Sequence, residues 1–176
     1  MFNHTMLQRL MSKAYMHALE SPDPSSQNGA VLCQRQPNGQ LDVVAKGFNH
    51  FYEGIPLEVE DRTKKLQRIE HAERDCLYFA ANRGVETQGS IMVCPWAACY
   101  DCARAIIGTG VSALIFHRQR YLLTDERWID SVNEALHWLQ DSGVWLYEFD
   151  GNCPQTKPIL VSGKLWSPAT CEYVNA

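Results

Sequence analysis

SIMVCPWAACYDCARAIIGTGVSALIFH, residues 90–117, is the stretch that decides the fold. Its ends, SIMVC and VSALIFH, are short apolar runs that read as strands. Between them, CYDCARAIIGTG reads as a short helix stopped at Gly108 or Gly110. Working outward, IEHAERDCLYFAANRG carries apolar residues at Ile69, Ala72, Cys76, Phe79 and Ala80, then an Arg-Gly stop, which predicts a second helix just upstream. Downstream, TDERWIDSVNEALHWLQDSG opens on a Thr-Asp capping signal and continues at helical spacing, and VWLYEF follows as a last strand.

Near the N-terminus, Met6, Leu10, Tyr15 and Leu19 recur close to a helical period, which predicts a helix over about residues 4–20. SPDPSSQNG stops it. AVLCQ and LDVVAKGF are separated by a Pro-Asn-Gly turn and predict a β-hairpin. NHFYEGIPLEVEDRTKKLQR, residues 49–68, shows little periodicity and reads as a long functional loop. The tail from Gly151 shows no period and receives no element. Helix and strand alternate after the hairpin, so the chain is α/β, a mixed sheet with helices on both faces.

The chain has 176 residues, enough for one domain that needs no disulfide staples. A net charge of −4 argues against a general nucleic-acid binder, though not against a site for one small anion. No apolar stretch is long enough for a membrane span, and the N-terminus reads as an amphipathic helix rather than a signal peptide. Seven cysteines without a secretory signal read as reduced thiols, and the expected compartment is the cytoplasm.

Two short pieces carry chemistry. His71-Ala72-Glu73 opens one helix and Cys99-Tyr100-Asp101-Cys102 opens the next, so both fall at one edge of the sheet, where open α/β folds place ligands. Cysteines three apart share a helical face, and a helix N-terminus favours the thiolate form that binds metal. One histidine and two cysteines give zinc three protein ligands and leave a fourth, open position for an acidified water. Glu73 sits beside the ion without binding it, which suits a carboxylate that moves protons. CxxC alone also fits a redox pair or half of a structural zinc site. HxE, 28 residues upstream of Cys99, tips the reading to catalytic zinc, because the combination is the signature of zinc nucleobase deaminases. Cys94 reads as strand core; Cys33, Cys76, Cys153 and Cys171 read as packing or surface thiols. His117, at a strand end, reads as a structural histidine, with proximity to a ligand as the alternative.

The chain resembles the cytidine deaminase-like superfamily, and within it the deoxycytidylate (dCMP) deaminase branch. The resemblance is carried by SPDPSSQNGAVL, GFN, EHAERDCLYFAANRG and CPWAACYDCARAIIGTGV, and extends over about residues 5–148. It implies a three-layer α/β/α fold with a five-stranded mixed sheet. It implies residues 1–150 as a zinc-dependent deaminase domain and 151–176 as a C-terminal extension packed on or near it. It implies His71, Cys99 and Cys102 as zinc ligands and Glu73 as proton shuttle. It also implies Asn49 against the nucleoside, the Ala72 N–H against the base carbonyl, and Trp96 in the pocket wall. The expected reaction is hydrolysis of dCMP to dUMP and ammonia. The expected assembly is a homo-oligomer, dimer or hexamer, with dCTP and dTTP as candidate effectors. Alternatives are the same chemistry on cytidine, cytosine, guanine or a modified dCMP, or a non-catalytic zinc scaffold. A tRNA adenosine substrate is disfavoured by the acidic chain. Arg62 and Lys65, with Lys64 and Arg68, are candidates to hold the phosphate. Two departures from the family stand out. Ala98 precedes the first cysteine where relatives have proline, and Asp75 replaces an asparagine, which is expected to add negative charge near the site.

Overall fold

The computed structural model describes residues 2–56 and 60–175. Helix α1, His4–Ala18, starts on Asn3, whose side chain accepts the Met6 N–H. The hairpin follows as β1, Gly29–Arg35, and β2, Leu41–Phe48, with an irregularity at Leu32/Cys33. The region read as a long loop has structure of its own. His50–Phe51 (β3) pairs with Ile69–Glu70 (β4), and Arg62–Arg68 forms a two-turn helix, α2, capped by Asp61. That helix hides from periodicity because it buries little beyond Lys65.

Next come α3, Ala72–Asn82; β5, Ile91–Cys94; α4, Tyr100–Gly108; and β6, Ala113–His117. A single turn, α5 (Arg118–Tyr121), precedes α6, Glu126–Asp141, and the strand β7, Trp145–Phe149. The unassigned tail forms a small antiparallel sheet of β8 (Ile159–Val161), β9 (Lys164–Ser167) and β10 (Glu172–Tyr173).

The central sheet has the order β2-β1-β5-β6-β7. β1 is antiparallel to both neighbours, while β5, β6 and β7 run parallel. The sheet is therefore mixed, five-stranded and covered on both faces. Alternation along each strand sorts the core. Ala30, Leu32, Met92, Cys94, Leu114 and Phe116 face α3, α4 and α6. Val31, Cys33, Ile91, Val93, Ala113 and Ile115 face α1 and the tail sheet. The tail contributes Ile159, Val161 and Trp166, all buried, and Trp166 packs against Tyr15 and His117.

His117 belongs to this second layer. It is fully buried, accepts from the Tyr15 hydroxyl at Nδ1 (2.6 Å) and donates from Nε2 to the Gly151 carbonyl (2.6 Å). It is a structural histidine, locked in one neutral tautomer. Gly47 sets the spacing on the other face: a Cβ there would stand 2.3 Å from the Cys76 backbone nitrogen, so only glycine lets β2 approach α3 this closely.

Candidate active site

Two helix starts meet at the end of the sheet. His71 is the N-cap residue of α3 and Cys99 that of α4, and Glu73 and Cys102 lie in the first turns. The two cap side chains turn toward each other. His71 Nδ1 lies 3.5 Å from Cys99 Sγ and 3.6 Å from Cys102 Sγ, and the three atoms fall within 4.8 Å of one another. Zinc–nitrogen and zinc–sulfur bonds at tetrahedral angles put nitrogen and sulfur about 3.6 Å apart, so the donor set fits zinc in both chemistry and spacing.

The three side chains are electrostatically coupled. Hydrogen bonding from the Cys102 thiol, then from His71, holds Cys99 down to about 3 in spite of burial. Burial, reinforced by that hydrogen bond, pushes Cys102 up. Burial opposes charge on His71, but the Cys99 thiolate more than offsets it and the imidazole is raised. Glu73 is 3% exposed, and burial lifts it to about 7. Its Oε2 is buried with no hydrogen-bond partner among the described residues.

Two adjoining spaces open here, sharing Asn49, His71, Trp96 and Trp128 as walls. The inner one, about 20 Å³, reaches Asn28, Glu73 and Cys99. The outer cleft, about 350 Å³, is lined by Asp23, Ser25, Arg62, Lys65 and Arg127. Lys65 is almost buried at its floor; its Nζ donates to Asp23 Oδ1 (2.6 Å) and to Ser25 Oγ. Arg62 and Lys65 therefore both line the cleft. Arg68 donates instead to the Pro56 carbonyl.

Asn49 ties the site together. Its N–H donates to the Asn28 carbonyl, its Nδ2 donates to the Ser26 carbonyl, and its Oδ1 accepts the Ala72 N–H at 3.0 Å. The Ala72 N–H, assigned by resemblance to a base carbonyl, is thus bonded to Asn49 here. Trp96 forms the wall shared by the two spaces, with its Nε1 held by Thr124 Oγ1 and the Arg120 guanidinium stacked on its ring at 4.4 Å. Arg120 is buried without a carboxylate partner among the described residues, and burial lowers its pKa to about 10. Asp75 does not face the spaces: its Oδ2 accepts the Phe48 N–H and its Oδ1 lies 3.5 Å from His50, so it joins β2 to α3. Ala98 is fully buried just before the Cys99 cap.

Sequence reading missed Asn28, Trp128, Arg127 and the tail. Ser162 and Gly163, the β8–β9 turn, line the outer cleft. The Gly163 N–H donates to the Ser25 carbonyl (2.7 Å) and the Ser162 N–H to Ser26 Oγ (3.3 Å), so the tail holds the 23–28 segment from behind. The period-free tail gave no signal for this contact.

An α/β/α fold with a His-Cys-Cys triad and a buried glutamate at its helix starts defines the zinc deaminase class. Residues 4–118 match the cytidine and deoxycytidylate deaminase zinc-binding region, and the chain belongs to that family. It is 27% identical over 126 residues to the deoxycytidylate deaminase of Homo sapiens, a match spanning 66% of each chain, just under two thirds of that relative's length. The Mus musculus enzyme is 26% identical over the same span. Among solved structures, the dCMP deaminase of the cyanophage S-TIM5, in complex with dCMP and dUMP, superposes with a TM-score of 0.66 at 20% identity. That match covers 84% of this chain and 99% of the phage chain.

Proposed function

We propose that this protein is a zinc-dependent hydrolase that converts dCMP to dUMP and ammonia. The observation that carries the reading is the buried, unpartnered Glu73 carboxylate beside the His71-Cys99-Cys102 triad, at the inner end of a cleft floored by Lys65. Homologues named deoxycytidylate deaminase, and a fold relative solved with dCMP and dUMP, support it. His71 Nδ1, Cys99 Sγ and Cys102 Sγ would hold the zinc, which when bound would supply Lewis-acid activation of a water. Glu73, lifted to about 7, carries the two protons of the attacking water in turn, the first to the ring nitrogen and the second, taken from the hydroxyl left on the ring carbon, to the departing amine. Trp96 and Trp128 flank the base, Asn49 orients the nucleoside side, and Lys65 and Arg62 attract the phosphate.

The seven unpaired thiols support a reducing compartment such as the cytoplasm. Among the described residues, no helix is long and apolar enough to cross a membrane. Trp145, 79% exposed on the last strand of the sheet, and Tyr147 beside it support a homo-oligomer, which sedimentation of the zinc-loaded protein tests.

Ammonia release measured over dCMP, deoxycytidine, cytidine, cytosine and guanine, with and without dCTP and dTTP, tests the substrate. The expected result is a strong preference for dCMP. Equal rates on dCMP and deoxycytidine would remove the phosphate from the reading.

A further inference from the structure

The inner space holds a second buried acceptor that the reading above does not use. Asn28 is 3% exposed, directly ahead of β1. Its backbone carbonyl is fixed by the Asn49 N–H at 3.0 Å, and its Nδ2 donates to Cys94 Sγ at 3.2 Å. The Nδ2 bond sets the direction of the side-chain amide. Its Oδ1 is left buried with no partner, and Asn28 lines the same small space as Glu73, whose Oε2 is also unpartnered. A buried carbonyl without a donor weakens the fold, and an aliphatic side chain there would not carry that penalty. Two orphan acceptors around about 20 Å³ describe a compartment for one small donor-rich molecule. It is large enough for a single water or ammonia and too small for a ring.

We propose that Asn28 Oδ1 accepts a hydrogen bond from the exocyclic amine of the substrate and retains it as that amine leaves, making the inner space the leaving-group pocket. The proposal rests on the deaminase reading. In that reaction, water adds its oxygen to C4 of the base. The C4–N bond then breaks, its electron pair departs with nitrogen, and Glu73 delivers the proton that completes ammonia. The oxygen stays on C4 as the product carbonyl. The nitrogen gains one hydrogen as it leaves, the proton Glu73 took from the hydroxyl on C4, so a pair of acceptors binds it more strongly in the breaking bond than in the substrate. That difference speeds the step rather than merely tightening binding. The product carries a carbonyl oxygen at C4, with no hydrogen to give to either acceptor.

The test compares the zinc-loaded wild type with Asn28→Leu, which keeps the branching at Cγ and removes the acceptor, and Asn28→Thr, which restores a smaller acceptor. Each is assayed on dCMP, 5-methyl-dCMP and the wider base panel, with dUMP as competing ligand. Asn28→Leu is expected to lose about 10- to 100-fold in kcat on dCMP and 5-methyl-dCMP alike, with dUMP affinity held within about twofold and partial recovery in Asn28→Thr. Its melting temperature and zinc content are expected to stay close to the wild type, because Oδ1 loses no native partner and Nδ2 loses only a bond to the weak acceptor Cys94 Sγ. Wild-type kcat in Asn28→Leu overturns the proposal. So does a parallel loss of dUMP affinity, which would mark a general wall residue. A loss confined to one C5 variant would mark a contact to C5, and a fall in both melting temperature and zinc would mark a structural role; either overturns it. A wild type inert on dCMP but active on another aminated base refutes the substrate reading alone, and the Asn28 comparison is then decided on that base. A wild type inert on all bases refutes both.

Discussion

Glu73 and His117 are both buried titratable groups, and their partners give them opposite duties. Glu73 lacks a partner for Oε2 and faces a cavity, so its carboxylate is available to move protons. Glu73→Ala is expected to keep one zinc per chain by elemental analysis and to lose about 10²- to 10⁴-fold in ammonia release. Retained turnover would remove the shuttle. His117 has both nitrogens bonded and no cavity; burial, the largest influence, depresses it to about 4. Tyr15 on α1, Arg120 on α5 and Asp150 after β7 are the titratable groups around it. Because the folded pKa lies below the unfolded one, the neutral form stabilises fully above pH about 6.5, and that stability is lost as pH falls toward 4, by about 3 kcal/mol. Denaturant unfolding at pH 7.5, 5.5 and 4.5 checks this, and His117→Phe is expected to flatten the pH slope.

At the scale of elements, the site depends on how closely α3 and the tail hairpin are held. α3 carries His71 and Glu73, and Gly47 lets β2 seat it. Gly47→Ala drives a methyl into the Cys76 backbone. It is expected to cost about 1–3 kcal/mol in thermal unfolding and to weaken zinc in competition titrations, because the N-cap histidine moves with its helix. The β8–β9 turn has φ of 50° at Ser162 and 78° at Gly163, a tight hairpin that only Gly tolerates well at its second position. Gly163→Val is expected to cost about 1 kcal/mol locally and to raise KM for the nucleotide several-fold while kcat holds, because the turn supports the segment carrying Asp23 and Ser25. An unchanged KM would separate the tail from the cleft. α2 and the tail sheet escaped sequence reading for one reason: short elements that pack on a finished layer need few apolar residues, so no period accumulates.

For the whole molecule, zinc held by His71, Cys99 and Cys102 would join two helices that come from different parts of the chain. Removing it leaves the buried triad unneutralised. Chelation is therefore expected to lower the melting temperature by several degrees and abolish ammonia release, with both restored by stoichiometric zinc. A melting temperature indifferent to chelation would place the metal outside the folded core. The mixed sheet that aligns the two helix starts was legible in the alternation of residues 90–117 and in the hairpin before it. The order β2-β1-β5-β6-β7 was not, because strand neighbours are chosen by packing across the sheet rather than along it.

The candidate metal ligands and the carboxylate beside them were legible in the sequence. His71, Cys99 and Cys102, with Glu73 next to them, are chemical types at fixed local spacing, and a helix start presents residues one to three apart in a known geometry whatever the rest of the chain does. Tertiary structure alone decided what surrounds them. Asn28 faces Glu73, Trp128 meets Trp96, Lys65 binds Asp23, and the Ser162-Gly163 turn braces the cleft, each across a separation in the chain that no local pattern encodes. Asp75, expected to add charge to the site, instead joins β2 to α3, because its carboxylate found a backbone N–H there. Ligands follow from spacing along a helix; the pocket around them follows from which buried surfaces are complementary, and that is settled only when the layers pack.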